Sequence, residues 1–466
     1  MKQTGFLLGL IVTLTLQAEV RLPAVFSDHM VLQRSNVAPV WGWGEPGEKV
    51  TVQFAGQTKN AIAGDKGKLL VRVNAIGDTK FVGELKVSGK NTVIVKDVLV
   101  GEVWVASGQS NMAMTVGRCL NAAQEAAAAK YPQIRMFISK RNAQLKPQDD
   151  LEGSWVVCSP ETVKSFSGTA YFFGRTLHNK LKVPVGILHS SWGGTAIEAW
   201  TSIDVQENSD KLSSVLDKWK NKAAANQNKP ANLFNGMIHP LIPYGIRGGI
   251  WYQGERNSKT VEGAKLYAHQ LDLMINDWRR RWGQGDFPFL WVQLPNFKAR
   301  NEDPNPVSIW AHTRESMAKA LRLPNTGMAT TIDIGEARDI HPKNKQDVGR
   351  RLARWALAEF YRQDILASGP MYAGHEVLGV KAVVRFKYAK GLQAKEGRVI
   401  SGFALAGADK KFYWAIGKVL GDGAVEVSSD AVQKPVAVRY GWADNPDVNL
   451  VNGEGLPATP FRTDEW

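Results

Sequence analysis

Hydrophobic positions along this chain keep different periods in different stretches, and the changes of period divide it into three. From about residue 19 to 100 the apolar runs are short and β-prone, as in Val50–Phe54, Leu69–Val73 and Thr92–Val95. Turn-forming segments such as Gly44-Glu-Pro-Gly47 and Ala63-Gly-Asp-Lys-Gly67 separate them, which predicts a small β-sandwich. From about 101 to 362, near-continuous apolar runs appear at Val103–Ala106, Ile134–Ile138, Val185–His189, Gly249–Tyr252, Phe287–Gln293 and Met328–Ile334. Strands this apolar are covered on both faces. Helical stripes lie between them: Tyr267, Leu271, Met274, Trp278 and Trp282; Phe173, Leu177 and Leu181; Val348, Leu352 and Trp355. Spacings of three and four mark each as one face of a helix, and strands alternating with helices predict a parallel sheet. The polar, Lys/Asn-rich segment Glu207–Asn232 reads as a surface excursion. From about 370 to the end, β character returns in Ala382–Phe386, Phe412–Ile416, Ala424–Val427 and Val436–Tyr440. The pattern therefore predicts an α/β domain over 101–362, flanked by β domains over 19–100 and 370–466.

Composition narrows the functional classes. The first 18 residues hold one lysine, then the apolar run Phe6–Leu16, then Gln17-Ala18, the pattern of a secretory leader. Leu16 is not ideal three residues before the expected cleavage after Ala18. No other segment approaches the roughly 20 apolar residues of a membrane span. A periplasmic or secreted protein is expected. The net charge of +14 is spread along the chain rather than gathered in a tail, so nucleic-acid binding is not expected. Sixteen tryptophans suit core packing and also sugar-stacking platforms. The two cysteines, Cys119 and Cys158, fit one disulfide or two buried thiols equally well. No CxxC, HExxH or His/Cys cluster is present, so no metal is called for.

The candidate chemistry collects at the ends of predicted strands, where open α/β sheets bind ligands. The strand around Val103–Ala106 runs abruptly into Gly108-Gln-Ser-Asn111, which sets the Ser110 hydroxyl on a tight turn as a candidate nucleophile. The bland alternative is a serine capping a helix. Among eight histidines, His29, His178, His269 and His375 read as structural, while His189, His239 and His312 lie at or near connections. His341 differs: it follows a predicted strand, in a loop that also carries Asp333 and Asp339. Gly193 and Gly194 follow another strand and allow close backbone approach to a substrate; Gln253 follows a third and supplies a side-chain amide.

Together, Gly-Gln-Ser-Asn at 108–111, Gly-Gly-Thr at 193–195, Trp-Tyr-Gln-Gly-Glu at 251–255 and Asp-Ile-His-Pro at 339–342 resemble the sialate O-acetylesterase branch of the SGNH (GDSL-like) hydrolases. The resemblance extends to Phe26–Gln33 and Arg439–Pro446. It implies an SGNH-type three-layer sheet and an exported serine esterase that removes O-acetyl groups from sialic acids or acetylated polysaccharides without a cofactor. Carried over by position, it makes Ser110 the nucleophile and His341 the base. The Ser110 N–H, Gly193, Gly194 and Gln253 would form the oxyanion hole. Gln109, Asn111, Trp192 and Glu255 complete the candidate substrate-binding set, although Asn111 reads first as the organiser of the nucleophile turn and Glu255 first as a brace for its loop. The chain departs from the family at 338, where Arg stands in place of the frequent Asp. Asp339 is then the expected orienting acid, with Asp333 the runner-up and a Ser–His dyad the third option. Two rival functions remain at this stage. One is a glycoside hydrolase with Glu255 and Asp339 as paired carboxylates; the other is a non-catalytic glycan-binding protein. The sequence does not determine the oligomeric state.

Overall fold

A computed structural model describes residues 19–397, 399–421 and 423–466; the expected leader, 1–18, lies outside the described residues. Seven strands build the central layer: β1 (Thr92–Gly108), β2 (Ile134–Ser139), β3 (Gly153–Val157), β4 (Val185–Ser191), β5 (Gly248–Tyr252), β6 (Phe289–Val292) and β7 (Thr326–Ala329). Their spatial order is β7-β6-β5-β1-β4-β2-β3. All neighbours are parallel except β3, which closes one edge antiparallel to β2. This edge strand was not evident from the apolar pattern. Strands that follow β1 lie on one side as far as β4 and on the other from β5 onward. A crevice therefore opens at the C-terminal end of β1, where connections leave in opposite directions.

Four helices cover the sheet: α1 (Gly168–Leu181), α2 (Val261–Trp282), α3 (Ile309–Lys319) and α4 (Lys345–Trp355). Each starts on a side-chain cap, with Ser167, Thr260, Ser308 and Asn344 accepting a backbone N–H from the first turn. The residues of α2 and α3 join one core cluster and those of α1 and α4 the other, so helices lie on both faces. Tyr267, Leu271, Met274, Trp278 and Trp282 are all buried, and Trp278 packs edge-on against Trp251 of β5. Burying side chains of this size contributes roughly 1.5–3 kcal/mol each. The α2 stripe thus anchors the strand that carries the Gln253 loop.

β1 runs through two differently buried regions in one strand. Its first residues alternate between exposed and buried and pair antiparallel with Val82–Ser88; from Val98 onward every residue is buried. The change from period two to continuous burial marks entry into the two-sided sheet. The boundary read from sequence at 100/101 falls inside this strand. The Phe26–Gln33 run docks beside it: Val31–Gln33 pairs parallel with Leu99–Gly101, and the Gln33 side chain accepts the Val103 N–H at 2.7 Å.

Strand β7 is shorter than expected. It ends at Ala329 rather than Ile334. Past that point the chain is drawn off the ladder: Arg351 donates to Thr330 O at 2.7 Å, and the Thr331 hydroxyl donates to Gln293 O at 2.5 Å. Residues 330–344 are thereby released as the loop that carries His341.

After residue 370 an antiparallel seven-stranded sheet forms, in the order Met371–Leu378, Lys381–Lys387, Ala424–Ser428, Phe412–Leu420, Ile400–Ala406, Ala437–Tyr440, Phe461–Arg462. The Arg439–Pro446 run is its dock. Arg314 of α3 is fully buried and donates to the carbonyls of Leu294, Pro295, Ala443 and Asp444. Cys119 and Cys158 are buried free thiols, which burial pushes up to about 11 and about 12.

Candidate active site

The site begins where β1 ends. Gly108 has φ +139°, and a Cβ there would meet Tyr252 O at 2.2 Å, so only glycine fits. The turn is held from both neighbouring strands: Gln109 N–H donates to Tyr252 O at 2.9 Å, and Trp192 N–H donates to Gly108 O at 3.1 Å. The chain then starts the short helical turn Ser110–Ala113, with Ser110 partly exposed.

The β7–α4 loop brings His341 onto this turn. His341 Nε2 lies 2.8 Å from Ser110 Oγ. Asp339 Oδ1 lies 3.3 Å from His341 Nδ1 and accepts the His341 backbone N–H at 2.8 Å. That N–H and the adjacent imidazole hold the Asp339 carboxyl below its ordinary range. The Asp339 side chain is 48% exposed and the His341 side chain 32%, so the row runs along the surface. Asp333 is elsewhere engaged. Both its oxygens are bound by Arg351, at 2.6 and 2.8 Å. An imidazole aligned on a hydroxyl, with a carboxylate on its far nitrogen, has the layout that activates a serine by general-base catalysis.

The β4 loop closes the other side. A Cβ on Gly193 would sit 3.2 Å from Ser110 Cβ, so its lack of a side chain lets the two turns touch. Gly194 is exposed with φ +72° and serves the turn's conformation. Thr195 Oγ1 donates to Trp192 O at 2.7 Å and closes that turn. The N–H groups of Ser110, Gly193 and Gly194 meet no acceptor among the described residues. Gln253 differs from expectation. It is fully buried, and its Nε2 lies 2.8 Å from Asn257 Oδ1, 3.0 Å from Thr195 O and 3.3 Å from Gln109 Oε1, while its Oε1 accepts from Tyr267 OH at 2.8 Å. Its two N–H bonds are committed to acceptors within the loops, so it does not face an oxyanion directly.

Three of the four residues in the candidate substrate-binding set are drawn inward, and for Asn111 and Glu255 this is the turn-organising and loop-holding reading. Gln109, Asn111 and Glu255 are buried, and only Trp192 keeps partial exposure, with the Arg141 guanidinium 5.9 Å from its ring centroid. Asn111 sits in a buried polar knot. Its Nδ2 donates to Glu255 Oε1 at 2.5 Å and to Ile340 O at 3.0 Å; its Oδ1 accepts from Lys345 Nζ at 2.7 Å. Lys345 Nζ also donates to Pro342 O at 2.6 Å. Burial pushes the Glu255 carboxyl up and lowers Lys345 to about 8. A carboxyl sealed this way cannot pair with Asp339 as a glycosidase acid, which removes that rival. Lys345 was missed from the sequence: it reads as an ordinary polar residue in the first turn of α4.

The remaining histidines are held apart from Ser110. His189 is partly buried, which pushes it down to about 4, and is bound to Ser191 Oγ at 2.7 Å; His239 bonds Gln148 O at 2.8 Å; His312 lies 3.9 Å from Glu315. Among the described residues no group of three or more His, Cys, Asp or Glu is arranged to hold a metal ion, and no helix is long and apolar enough to cross a membrane.

Comparison with known proteins places these loops in a family. The family model for the carbohydrate esterase, sialic acid-specific acetylesterase, matches residues 100–358, which contain all four strand-end loops. Sialate O-acetylesterase of Homo sapiens is 31% identical over 516 aligned residues, covering 98% of this chain and 96% of that protein; that of Pongo abelii is 31% identical with the same coverage. The crystal structure of a carbohydrate acetylesterase from Xanthomonas citri superposes with a TM-score of 0.87 at 41% identity, covering 96% of this chain and 100% of that one. The chain belongs to the carbohydrate esterase, sialic acid-specific acetylesterase family and is an esterase hydrolase.

Proposed function

We propose that this esterase removes O-acetyl groups from carbohydrates, sialic acids or acetylated polysaccharides, through a serine nucleophile. The observation that carries this reading is the 2.8 Å contact between His341 Nε2 and Ser110 Oγ, with Asp339 behind the imidazole. Ser110 Oγ attacks the acetyl carbonyl carbon while its proton passes to His341 Nε2. The tetrahedral oxyanion is met by the N–H groups of Ser110 and the Gly193–Gly194 turn, and each such donor is typically worth about 3 kcal/mol at the transition state. Gln253 serves that hole indirectly, by holding Thr195 and Gln109 in place. Collapse expels the sugar oxygen, which takes the proton from His341, and leaves Ser110 acetylated. Water then attacks with His341 again as base, releasing acetate and restoring the serine. The partly exposed Trp192 beside Gly193 offers a ring face to the sugar. The leader-like residues 1–18 support export to the periplasm or the medium.

The test is acetate release from a panel of acetylated sialic acids, xylans, xyloglucans and pectins, beside aryl esters of increasing acyl length. Release from at least one glycan and preference for acetyl over butyryl esters are expected. Hydrolysis of octanoyl esters with no glycan deacetylation would overturn the substrate class. N-terminal sequencing of the exported protein checks cleavage after Ala18.

A further inference from the structure

The buried knot beneath the site has a geometry that the reaction itself does not require. Ile340 O is the carbonyl of the peptide bond that enters His341, Pro342 O is the carbonyl of the residue that follows it, and both are bonded from the interior. Asn111, the residue after Ser110, holds the first; Lys345 holds the second; and Lys345 bonds Asn111 directly. Asn111 is also fixed through its own carbonyl, which accepts from Thr169 Oγ1 of α1 at 3.3 Å. A closed path therefore runs from Ser110 through Asn111 and Lys345 to the backbone flanking His341.

Lys345 is costly where it stands. It is fully buried at the first residue of α4, the helix end where the dipole disfavours a cation. Its ammonium has the Tyr252 ring 5.3 Å away and carboxyls of Glu255, Glu336 and Asp339 in its field. Glu255 Oε2 is buried without a hydrogen-bond partner, so the knot is not built for greatest stability. Residues that break a local rule in this way concentrate where a site demands it.

We propose that Lys345 is a positioning residue: with Asn111 it clamps the residues before and after His341 to the nucleophile turn and so sets the Ser110–His341 distance. Glu255 is the counter-charge that lets the clamp's ammonium stay buried. The clamp rests on the Ser110–His341 reading above. It acts on chemistry and not on substrate binding, because none of its members reaches the surface.

The experiment compares wild type, Ser110→Ala, Lys345→Met and Glu255→Gln in an aryl-acetate assay across pH. Lys345→Met is expected to lower kcat by about 10- to 100-fold with KM within threefold, the loss that a displacement of about 1 Å brings. Removing a buried cation and removing a buried anion near one imidazole have opposite electrostatic signs. The acid limb of the kcat/KM profile should therefore move to higher pH in Lys345→Met and to lower pH in Glu255→Gln. A general loosening of the fold would not split in sign. Lys345→Met with kcat within twofold of wild type, or with its loss confined to KM, overturns the clamp while Ser110→Ala remains inactive. An active Ser110→Ala overturns the underlying reading instead. If Lys345→Met does not fold, Asn111→Ala takes its place: the same fall in kcat at constant KM is expected, and near-wild-type turnover overturns the proposal.

Discussion

Two groups of three polar residues lie one behind the other at the end of β1, and they differ in nearly every physical respect. The outer row, Ser110, His341 and Asp339, is partly exposed, and its charges are screened by solvent. The inner knot, Asn111, Lys345 and Glu255, is buried, and burial pushes the basicity of its amine down and that of its carboxyl up. Under the proposed mechanism the outer row must meet substrate and water, so it cannot be locked by packing. Its precision has to come from behind, from hydrogen bonds in a low-dielectric interior where each is strong and each omission is costly. The same division separates the loop's two aspartates: Asp339 faces solvent on the imidazole, whereas Asp333 is forked onto Arg351 where the chain leaves the sheet.

The largest effect expected from breaking this contrast is Ser110→Ala, which should cost several orders of magnitude in kcat with the fold unchanged by circular dichroism. Activity within tenfold of wild type would remove the outer row from the chemistry. Next come the two aspartates. Asp339→Asn should lower kcat by about 100-fold, less than the ~10⁴ of a buried triad acid, because Asp339 is half-exposed. Asp333→Asn should leave kcat within about tenfold but lower the melting temperature, since it strips a buried arginine of its partner. A larger turnover loss at Asp333 would reverse their roles.

The inner knot gives a sharper test through stability. Lys345 is lowered from 10.5 to about 8, so the unfolded chain binds its proton more tightly than the folded one. Between those values the unfolded state carries more protons, and the contribution of this group to stability rises with pH. Denaturant melts at pH 8 and pH 10 should show wild type gaining on Lys345→Met by about 2–3 kcal/mol. An unchanged difference would mean that the ammonium is not buried. The smallest effect is expected at the rim. Trp192→Ala should raise KM for a glycan severalfold and leave KM for a small aryl acetate unaltered, as lost ring stacking of about 1 kcal/mol would. An equal rise for both substrates would place Trp192 in the turn's structure and not on the sugar.

The legible parts of this molecule are those whose cause is local. Continuous apolar runs announced β1, β2, β4 and β5, and three- and four-residue spacing announced α1, α2 and α4. The turn at Gly108–Asn111 was readable because a strand ending in Gly-Gln-Ser-Asn leaves the backbone few choices. His341 and Asp339 were nominated together because they share one short loop. Other features were invisible for a physical reason. β3 exists because β2 offers it an edge, not because Gly153 and Ser154 favour a strand. The sheet lets go of residues 330–334 because Arg351, far along the chain, captures the Thr330 carbonyl.

Gln253, Asn111 and Glu255 show the limit most clearly. Their types pointed to polar contacts, but whether an amide or carboxyl faces substrate or interior depends on which carbonyls arrive from other segments. Lys345 carries no local signal, since a lysine in a first helical turn is ordinarily solvated. The sequence by itself determined the alternation of strands and helices, the strand-end turn and the residues nominated for the chemistry, all read from neighbours within a few residues. Only the tertiary structure decided which polar groups stay at the surface and which are buried to hold them. That choice follows from desolvation and hydrogen-bond partners brought together across more than two hundred residues of chain, as in the 234 that separate the positions of Asn111 and Lys345.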